Sequence, residues 1–511
     1  MIHLHFMKSN NKEALDVIID IERSVPVDLI RIKDIEIWPL IRLEIWKQLI
    51  NSKRKSATSE IIRSSQKYTI KYLFSKISIV LAYIRYVFCK KKYKRKDVVF
   101  LSSPNSKWEK VDGRYFRPFS NSLQDILKEA KVESIILDIS PKVQSPVHGE
   151  TDFILEEIEN TCSIYRMRTF FLNILNLNKK TDEIYGWDVL AKFIESKYPN
   201  LSLNRRSIIE RANKIFFCEQ IFKKFLMKIK PKVCFLVCFY NPISMGYVKA
   251  CRGLGIKTVE IQHSQQDLNG MYASWTKLPQ KGYSLLPSYW WCWGTKSANF
   301  INDWSKNVYP EHQAIVGGNP WVAKNVSGDY KIDYAYTDKF SNMLKNKINV
   351  LVALQPIEPI LSINLMKAIS NSPQNINWLI RLHPAIYSQE REIKNQLKNT
   401  SNKNIEIEYS TEIPLFNLLK RVDFLITSWS GVAFEALLFG VHPIIIHPNG
   451  ENMFVEYINK NLFTYADSSE KIIETIKLDK KTFNFKEETP YMETDKEKMK
   501  KVLFGLTRGM L

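Results

Sequence analysis

The chain has 511 residues, 45% of them hydrophobic and 12% aromatic, which excludes a disordered protein and predicts two to four folded domains. Its formal net charge is +21, and the sequence contains no known nucleic-acid-binding motif. The seven cysteines are scattered and odd in number, and the N-terminus has no apolar signal core, so we expect a reducing, cytoplasmic location.

The positive charge is concentrated in residues 53–96, which contain fourteen lysines and arginines and one acidic residue. This basic block includes the apolar, aromatic stretch 68–88, whose internal charges Lys71, Lys76 and Arg85 argue against a membrane-spanning helix. Two interpretations remain open: an ordinary helix with a solvated basic face, or an interfacial helix on an anionic membrane surface. The second interpretation predicts a peripheral position on the inner face of the cytoplasmic membrane.

Apolar periodicity predicts helices in an N-terminal extension, residues 1–96, at Asn11–Glu22 and Ile35–Ile50. From residue 97 onward, buried-type strands alternate with helices, which is typical of parallel sheets covered by helices. The predicted strands of the domain 97–330 are Val98–Ser103, Ser134–Ser140, Val233–Tyr240, Thr258–His263, Tyr289–Gly294 and Ala314–Gly318. Those of the domain 331–490 are Ile348–Leu354, Trp378–Leu382, Ile405–Tyr409, Phe424–Thr427 and Ile444–Ile446, and a helix in 491–511 ends the chain.

The sequence therefore predicts an α/β fold of two Rossmann-like domains facing a cleft, with a helical extension before them. Parallel sheets of this kind bind ligands at the carboxyl ends of their strands. Polar residues that directly follow a predicted strand are accordingly the candidate site residues.

Two polar loops follow strands of the second domain. Arg381-Leu382-His383-Pro384 ends one strand, and Thr427–Gly431 ends another. If the sheet is parallel, both loops lie at the same edge, where an imidazole, hydroxyl groups and free backbone N–H groups form a candidate phosphate site.

Each of these residues also has a simpler structural interpretation. His383 can cap a strand end, and Ser428 and Ser430 can be ordinary helix N-caps. Glu435, about one turn into the following helix, is placed to reach ribose hydroxyls. We favour the functional interpretation because the two motifs occur together and in order.

The pair RLHP and TSWSGVAFEALLFG resembles the nucleotide-binding half of GT-B glycosyltransferases, with motif support over about residues 348–465. The resemblance is nearest to bacterial sialyltransferases and Kdo transferases, which use CMP-activated acidic sugars. It implies that His383-Pro384 and the serines Ser428 and Ser430 hold the donor nucleotide. Similar motifs occur in glycerophosphotransferases that use CDP-glycerol, and the GVAFEALLFG segment is also similar to donor-binding helices of UDP-sugar enzymes.

The same resemblance extends to the first domain. Asp112-Gly113 is similar to an acidic-Gly motif that carries a catalytic carboxylate, although Asp-Gly is also a common turn and Glu109 is a nearby rival. Gly317 and Gly318 end the last predicted strand of this domain, and the resemblance to GT-B proteins implies that a glycine there lets the linker approach the nucleotide; a plain turn is the alternative.

His263 ends a predicted strand of the first domain and is a candidate base or substrate ligand. Its simpler interpretation is a strand-end histidine bonded to the backbone. Tyr240-Asn241 is a weaker candidate of the same kind. No metal-ligand spacing and no P-loop motif are present, so we predict a metal-independent enzyme without a cofactor.

The leading hypothesis is a glycosyltransferase of bacterial surface polysaccharide assembly, which moves a sugar from a nucleotide donor to a capsule, O-antigen or other glycan or glycolipid acceptor. A CDP-glycerol-type glycerophosphotransferase and a UDP-sugar transferase or epimerase on the same fold are the alternatives. A non-catalytic basic protein that binds membrane or nucleic acid is the remaining hypothesis.

Overall fold

The computed structural model describes residues 2–52, 93–103, 108–140, 146–174, 183–264, 266, 269–329, 338–478, 482–485 and 491–510. Most of the basic block 53–96, together with its predicted interfacial helix, lies outside the described residues. Among the residues that are described, no helix is both long and apolar enough to cross a membrane.

The chain divides into two compact units. The N-terminal unit consists of Lys8–Glu109, Arg114–Trp321 and Glu493–Leu511. The C-terminal unit consists mainly of Val322–Met492, with the short segments Met1–Met7 and Lys110–Gly113. Each unit contains one large parallel sheet.

The strands, in chain order, are β1 Arg31–Ile32, β2 Ile35–Glu36, β3 Val98–Leu101, β4 Glu109–Val111, β5 Arg114–Phe116, β6 Ser134–Asp138, β7 Thr151–Phe153, β8 Val233–Leu236, β9 Lys257–Ile261, β10 Tyr289–Cys292, β11 Gln313–Val316, β12 Ile348–Ala353, β13 Ile376–Arg381, β14 Ile405–Glu406, β15 Phe424–Thr427, β16 His442–Ile445 and β17 Thr464–Tyr465.

The described helices are α1 Ile2–Ser24, α2 Trp38–Ser52, α3 Pro118–Glu129, α4 Leu155–Ile174, α5 Trp187–Lys197, α6 Arg205–Ile229, α7 Pro242–Gly253, α8 Thr295–Ser305, α9 Pro320–Ser327, α10 Asp338–Leu344, α11 Ile363–Asn371, α12 Glu390–Lys398, α13 Glu408–Glu412, α14 Leu415–Leu419, α15 Val432–Leu438, α16 Pro448–Met453, α17 Val455–Asn459, α18 Ser469–Lys477 and α19 Lys496–Arg508.

The sheet of the N-terminal unit has seven parallel strands in the order β11-β10-β9-β8-β3-β6-β7. Its central strands β3 and β8 are short apolar runs whose residues are all buried. Such runs suit a strand that is covered by helices on both faces, because neither face meets water. The sheet order places β3 and β8, which are far apart in the chain, side by side at its centre.

The sheet of the C-terminal unit has six parallel strands in the order β14-β13-β12-β15-β16-β17. Numbered within the unit, this order is 3-2-1-4-5-6, the doubly wound order of Rossmann folds. The N-terminal sheet shows the same central arrangement with one further strand. The predicted fold class, two Rossmann-like α/β domains with helices at the N-terminus, is therefore confirmed.

The first helices pack into the core of the N-terminal unit. Ile18, Trp38 and Ile41 belong to the same buried apolar cluster as Leu101 and Leu236 of the sheet. The predicted helix Ile35–Ile50 begins only at α2, because Ile35–Glu36 pairs with Arg31–Ile32 as a hairpin.

The predicted strand Ile405–Tyr409 is wrong beyond its first two residues, and the chain turns into α13 instead. The carboxylate of Glu406 accepts the backbone N–H groups of Tyr409 and Ser410, each at 2.8 Å. A side chain that satisfies the free N–H groups of a first turn stabilises a helix start. The edge strand therefore stops at Glu406.

Candidate functional site

The centre of the C-terminal sheet is a topological switch point. The chain leaves β12 toward one side of the sheet and β15 toward the other, so their carboxyl ends border an open crevice. Arg381 and Thr427 are both register partners of Ala353, the last residue of β12. The structure thus brings the two predicted loops to one edge of one sheet, a single strand apart.

Gln355, two residues after β12, links the two sides of this switch point. Its Oε1 accepts the backbone N–H of Trp429 at 2.8 Å and lies 3.3 Å from the hydroxyl of Thr427. The Thr427 hydroxyl also lies 3.2 Å from the carbonyl of Ala353. We did not predict Gln355 from the sequence, although a polar residue directly after a buried strand is a usable signal.

The predicted serines lie in the loop after β15, which is closely packed at Ser428. Ser428 is buried, and its carbonyl lies so close to Gly450 that an added Cβ there would stand 1.9 Å from the oxygen. Ser430 is half-buried, and its Oγ accepts the N–H of Val432 at 3.4 Å. Gly431 is exposed and has ordinary helical dihedral angles, φ −59° and ψ −17°.

Glu435 lies on α15, in the first turn after this loop. Its surroundings desolvate the carboxyl group, and this burial raises its pKa to about 7. A carboxyl group whose pKa is about 7 is partly protonated at neutral pH. Both its ionised and its protonated form can accept a hydrogen bond from a hydroxyl, which suits a partner such as a ribose hydroxyl.

Arg381 and His383 both form hydrogen bonds with backbone groups at the carboxyl edge of the C-terminal sheet. One Arg381 nitrogen, Nη1, donates to the carbonyls of Ser410 and Ile413 at 2.8 and 2.6 Å. His383 is exposed, and its Nδ1 accepts the N–H of Ala385 at 3.1 Å, while Pro384 occupies the first position of a short 3₁₀ helix. Because Nδ1 is the acceptor, the imidazole presents Nε2–H as a donor.

In the N-terminal unit, His263 meets Tyr240 at the carboxyl edge of the sheet. The phenol oxygen of Tyr240 lies 3.3 Å from Nε2 of His263. Burial lowers the pKa of His263 and raises the pKa of Tyr240, so both side chains are neutral at physiological pH. A neutral imidazole is the form that can take up a proton.

A buried carboxyl group lies beneath this pair. Glu260 Oε1 accepts the N–H of Phe239 at 3.2 Å and the hydroxyl of Tyr272 at 2.8 Å. The chain reaches Phe239 through Cys238, which has φ +66°, a left-handed conformation uncommon outside glycine. Burial raises the pKa of Glu260 to about 8 and that of Cys238 to about 12. Glu260 therefore fastens the loop that carries Tyr240, and the sequence pattern showed it only as part of a strand.

Asp112 forms the turn of the hairpin between β4 and β5. Asp112 and Gly113 have φ of +48° and +75°, the left-handed pair that two-residue hairpin turns require. Asp112 is exposed, whereas its rival Glu109 is half-buried on β4. The local conformation by itself thus accounts for an Asp-Gly pair at this place.

Gly317 and Gly318 directly follow β11 and are closely packed in the N-terminal unit. A Cβ on Gly317 would stand 2.0 Å from the ring of Trp291, and Gly318 has φ +81° with the carbonyl of Glu493 2.6 Å from an added Cβ. Trp291 Nε1 donates to the Gly318 carbonyl at 2.7 Å. Within the described ranges, no group of three or more His, Cys, Asp or Glu side chains is arranged to hold a metal ion.

No protein-family model matches the sequence, and no curated protein matches it by sequence. Among solved structures, a putative UDP-N-acetylglucosamine 2-epimerase from Listeria monocytogenes superposes with a TM-score of 0.50 at 12% identity, over 81% of this chain and 97% of that chain. UDP-GlcNAc 2-epimerases from Methanocaldococcus jannaschii and Neisseria meningitidis give TM-scores of 0.47 and 0.48 at 14% and 13% identity, each over 81% of this chain and 99% of theirs. The likeness to the Listeria protein extends to the fold alone and agrees with a GT-B architecture.

Proposed function

We propose that this protein is a nucleotide-sugar-dependent enzyme, a glycosyltransferase whose donor nucleotide binds at the switch point of the C-terminal unit. One observation carries the proposal: Arg381, Ala353 and Thr427 lie in one row across the sheet, so the RLHP and TSWSG loops meet at the same edge. Open α/β sheets bind nucleotides at this place. A CMP-activated acidic sugar is the favoured donor, because the sequence resemblance is nearest to enzymes of that kind.

Side chains of the C-terminal unit would bind the donor, and a side chain of the N-terminal unit would act on the acceptor. His383 Nε2–H and the hydroxyls of Ser428 and Ser430 would donate to the phosphate, and Glu435 would accept from the ribose. Neutral His263 would take the proton of the acceptor hydroxyl as that oxygen bonds to the sugar carbon and the bond from the sugar to the nucleotide phosphate breaks. Asp112 is the second candidate for the base.

The acceptor would be a glycan or glycolipid of the cell surface, and the protein would act in the cytoplasm. We propose that the basic block 53–96 contacts the anionic inner face of the membrane, where lipid-linked acceptors are found. Salt-sensitive co-sedimentation of the full chain with anionic vesicles, but not with neutral ones, is the expected result.

The donor site is tested with His383→Asn. An Asn amide oxygen can still cap Ala385, so the fold should be retained while the imidazole is lost. In the wild type we expect CMP, CDP or UDP to raise the melting temperature, and the variant should lose most of that shift and its transfer activity. Wild-type binding and turnover in the variant would contradict the assignment of His383, and no shift with any nucleotide would contradict the nucleotide site.

A UDP-sugar 2-epimerase is a second candidate, favoured by the likeness of the fold to the Listeria protein. The two reactions differ in their products. An epimerase converts UDP-GlcNAc without an acceptor, whereas a transferase releases the nucleotide only as the acceptor becomes glycosylated. Proton NMR of donor alone and of donor with acceptor therefore separates the two candidates.

A further inference from the structure

We infer that Gln355 binds the donor directly, through a small cavity at the switch point that takes an oxyanion of the ligand. The inference rests on the proposed function, which places a nucleotide at this edge. The cavity has a volume of about 60 Å³, and its polar lining consists of Gln355, Glu358, Ser362, Thr427, Ser428 and His447. A space of about 10–15 Å³ suffices for one water molecule, so this cavity has room for a phosphate or carboxylate group of a ligand.

The orientation of the Gln355 amide is fixed by its neighbour. A backbone N–H can only donate, so the Gln355 atom 2.8 Å from the nitrogen of Trp429 must be the carbonyl oxygen. The other terminal atom is therefore the amide nitrogen, and no described residue accepts a hydrogen bond from its two N–H groups. No rotation of the amide can exchange the two atoms without breaking the bond to Trp429.

The same reasoning applies to two other residues of the lining. His447 Nδ1 accepts the N–H of Asn449 at 3.1 Å, which places the ring proton on Nε2. Ser362 Oγ accepts the N–H of Leu365 at 3.2 Å, so its hydroxyl proton is free to point elsewhere. Burial lowers the pKa of His447, and the ring is a neutral donor at physiological pH.

Three lining side chains, Gln355, His447 and Ser362, thus use an acceptor atom to bind a backbone N–H group. The donors that remain for a ligand are the Gln355 amide, His447 Nε2–H and the hydroxyl protons of Ser362 and Ser428, whereas the Thr427 hydroxyl donates within the protein. Glu358, the carboxylate among the lining residues, is exposed. Neutral donors around one cavity suit an oxyanion, and the oxyanion can be a phosphate of the nucleotide or the carboxylate of an acidic sugar.

The test is Gln355→Glu, measured by calorimetric titration of the full chain. Glutamate keeps an oxygen for the Trp429 N–H but removes both donors and adds a negative charge. We expect the affinity for CMP and for CMP-N-acetylneuraminic acid to fall about ten- to a hundredfold, with an unchanged melting temperature. Gln374→Glu is the matched control, because it adds the same charge at an exposed residue before β13, on the opposite edge of the sheet, and should change affinity less than about twofold.

The ligands distinguish the sources of the oxyanion. A loss with CMP alone identifies the phosphate, and a loss seen only with the acidic sugar attached identifies its carboxylate. Unchanged affinity of Gln355→Glu for every ligand that the wild type binds would overturn the inference while leaving the nucleotide site intact. If the wild type binds inorganic pyrophosphate through Gln355 but no nucleotide, the oxyanion cavity stands and the proposed function fails; if it binds none of these ligands, both fail.

Discussion

Glu260 illustrates how one residue can set the geometry of a candidate site without reaching its surface. Its carboxyl group is wholly buried, and it receives the Phe239 N–H at the point where the chain leaves β8. The next residue, Tyr240, contacts His263. The position of His263, the proposed base, thus depends on the buried carboxyl group of Glu260.

The protonation of Glu260 makes the stability of the N-terminal unit depend on pH. The folded protein keeps a proton on a carboxyl group whose pKa is about 8, whereas the unfolded chain releases it near its ordinary value. Between these two values the folded state binds more protons, so the free energy of unfolding falls as pH rises, by up to about 1.4 kcal/mol per pH unit from this group.

Glu260→Gln should remove this dependence, because an amide mimics the protonated acid and keeps an acceptor for Phe239. We expect the advantage of wild type over the variant in urea unfolding to shrink steadily from pH 5 to pH 8. Parallel pH profiles of the two proteins would show that Glu260 is already ionised in the folded state.

The placement of single residues at the carboxyl edge of the sheet could be predicted from the sequence only where chain position alone decides it. Ser428 and His383 were found because each directly follows an apolar run that reads as a strand. Gln355 was missed because its role depends on Trp429, 74 residues later. Glu260 was missed because a carboxylate inside a strand carries no pattern of its own.

At the scale of elements, the loop after β15 is held in place by close packing on α16. The Ser428 carbonyl and the Ile445 side chain leave no room for a Cβ on Gly450, with distances of 1.9 and 2.4 Å to these atoms. Backbone atoms cannot give way as the end of a flexible side chain can. Gly450 therefore sets how closely the loop of the proposed donor site approaches the helix.

Gly450→Ala should destabilise the C-terminal unit by about 1–3 kcal/mol or more, because overpacking displaces the Ser428 backbone. Gly431→Ala is the matched control: no atom lies within 4 Å of its added Cβ, and its φ is already helical. That control should be neutral or stabilising by up to about 1 kcal/mol. Equal unfolding midpoints for the two variants would refute the close-packing account.

The elements themselves were largely predictable, because buried parallel strands appear as continuous apolar runs in the sequence. Where the prediction failed, as at Ile405–Tyr409, a local side-chain contact decided the outcome: Glu406 initiates a helix that apolar spacing does not show. Similarly, the hairpin at Arg31–Glu36 replaced the first turn of a predicted helix.

At the scale of the whole molecule, the N-terminal helices are tied to distant parts of the chain by a buried ion pair. Arg42 pairs with Glu22 and donates to the carbonyls of Gly270 and Ala273. Glu22 also accepts from the backbone N–H and hydroxyl of Thr276, each at 2.8 Å. Residues 270–276 are therefore fastened to α1 and α2.

Glu22→Ala should lower the free energy of unfolding by about 3–5 kcal/mol, because it leaves the Arg42 charge buried without its partner. Glu210→Ala removes an exposed ion pair with Arg206 on α6 and should change stability by less than about 1 kcal/mol. Urea unfolding of both variants measures the difference, and comparable losses would argue against the buried pair as a structural tie.

The number and order of the two α/β domains could be predicted from the sequence, but the partners of the terminal helices could not. Helical periodicity shows which face of a helix is apolar and not which surface covers it. Thus α2 shares its buried apolar cluster with the sheet of the N-terminal unit. The last helix, α19, also belongs to this unit, and its Lys496 forms an ion pair with Glu129. Contacts across such sequence distances leave no local signal.

The central pairing of β12 with β15 also has a consequence for how the protein folds. Ala353 and Thr427 are 74 residues apart, and β3 and β8 are separated by a still longer stretch of chain. Joining such distant strands costs more loop-closure entropy than joining neighbours like β15 and β16. We therefore expect each sheet to form first in two flanking halves, and the crevice proposed to hold the nucleotide to be among the last regions of the chain to assemble.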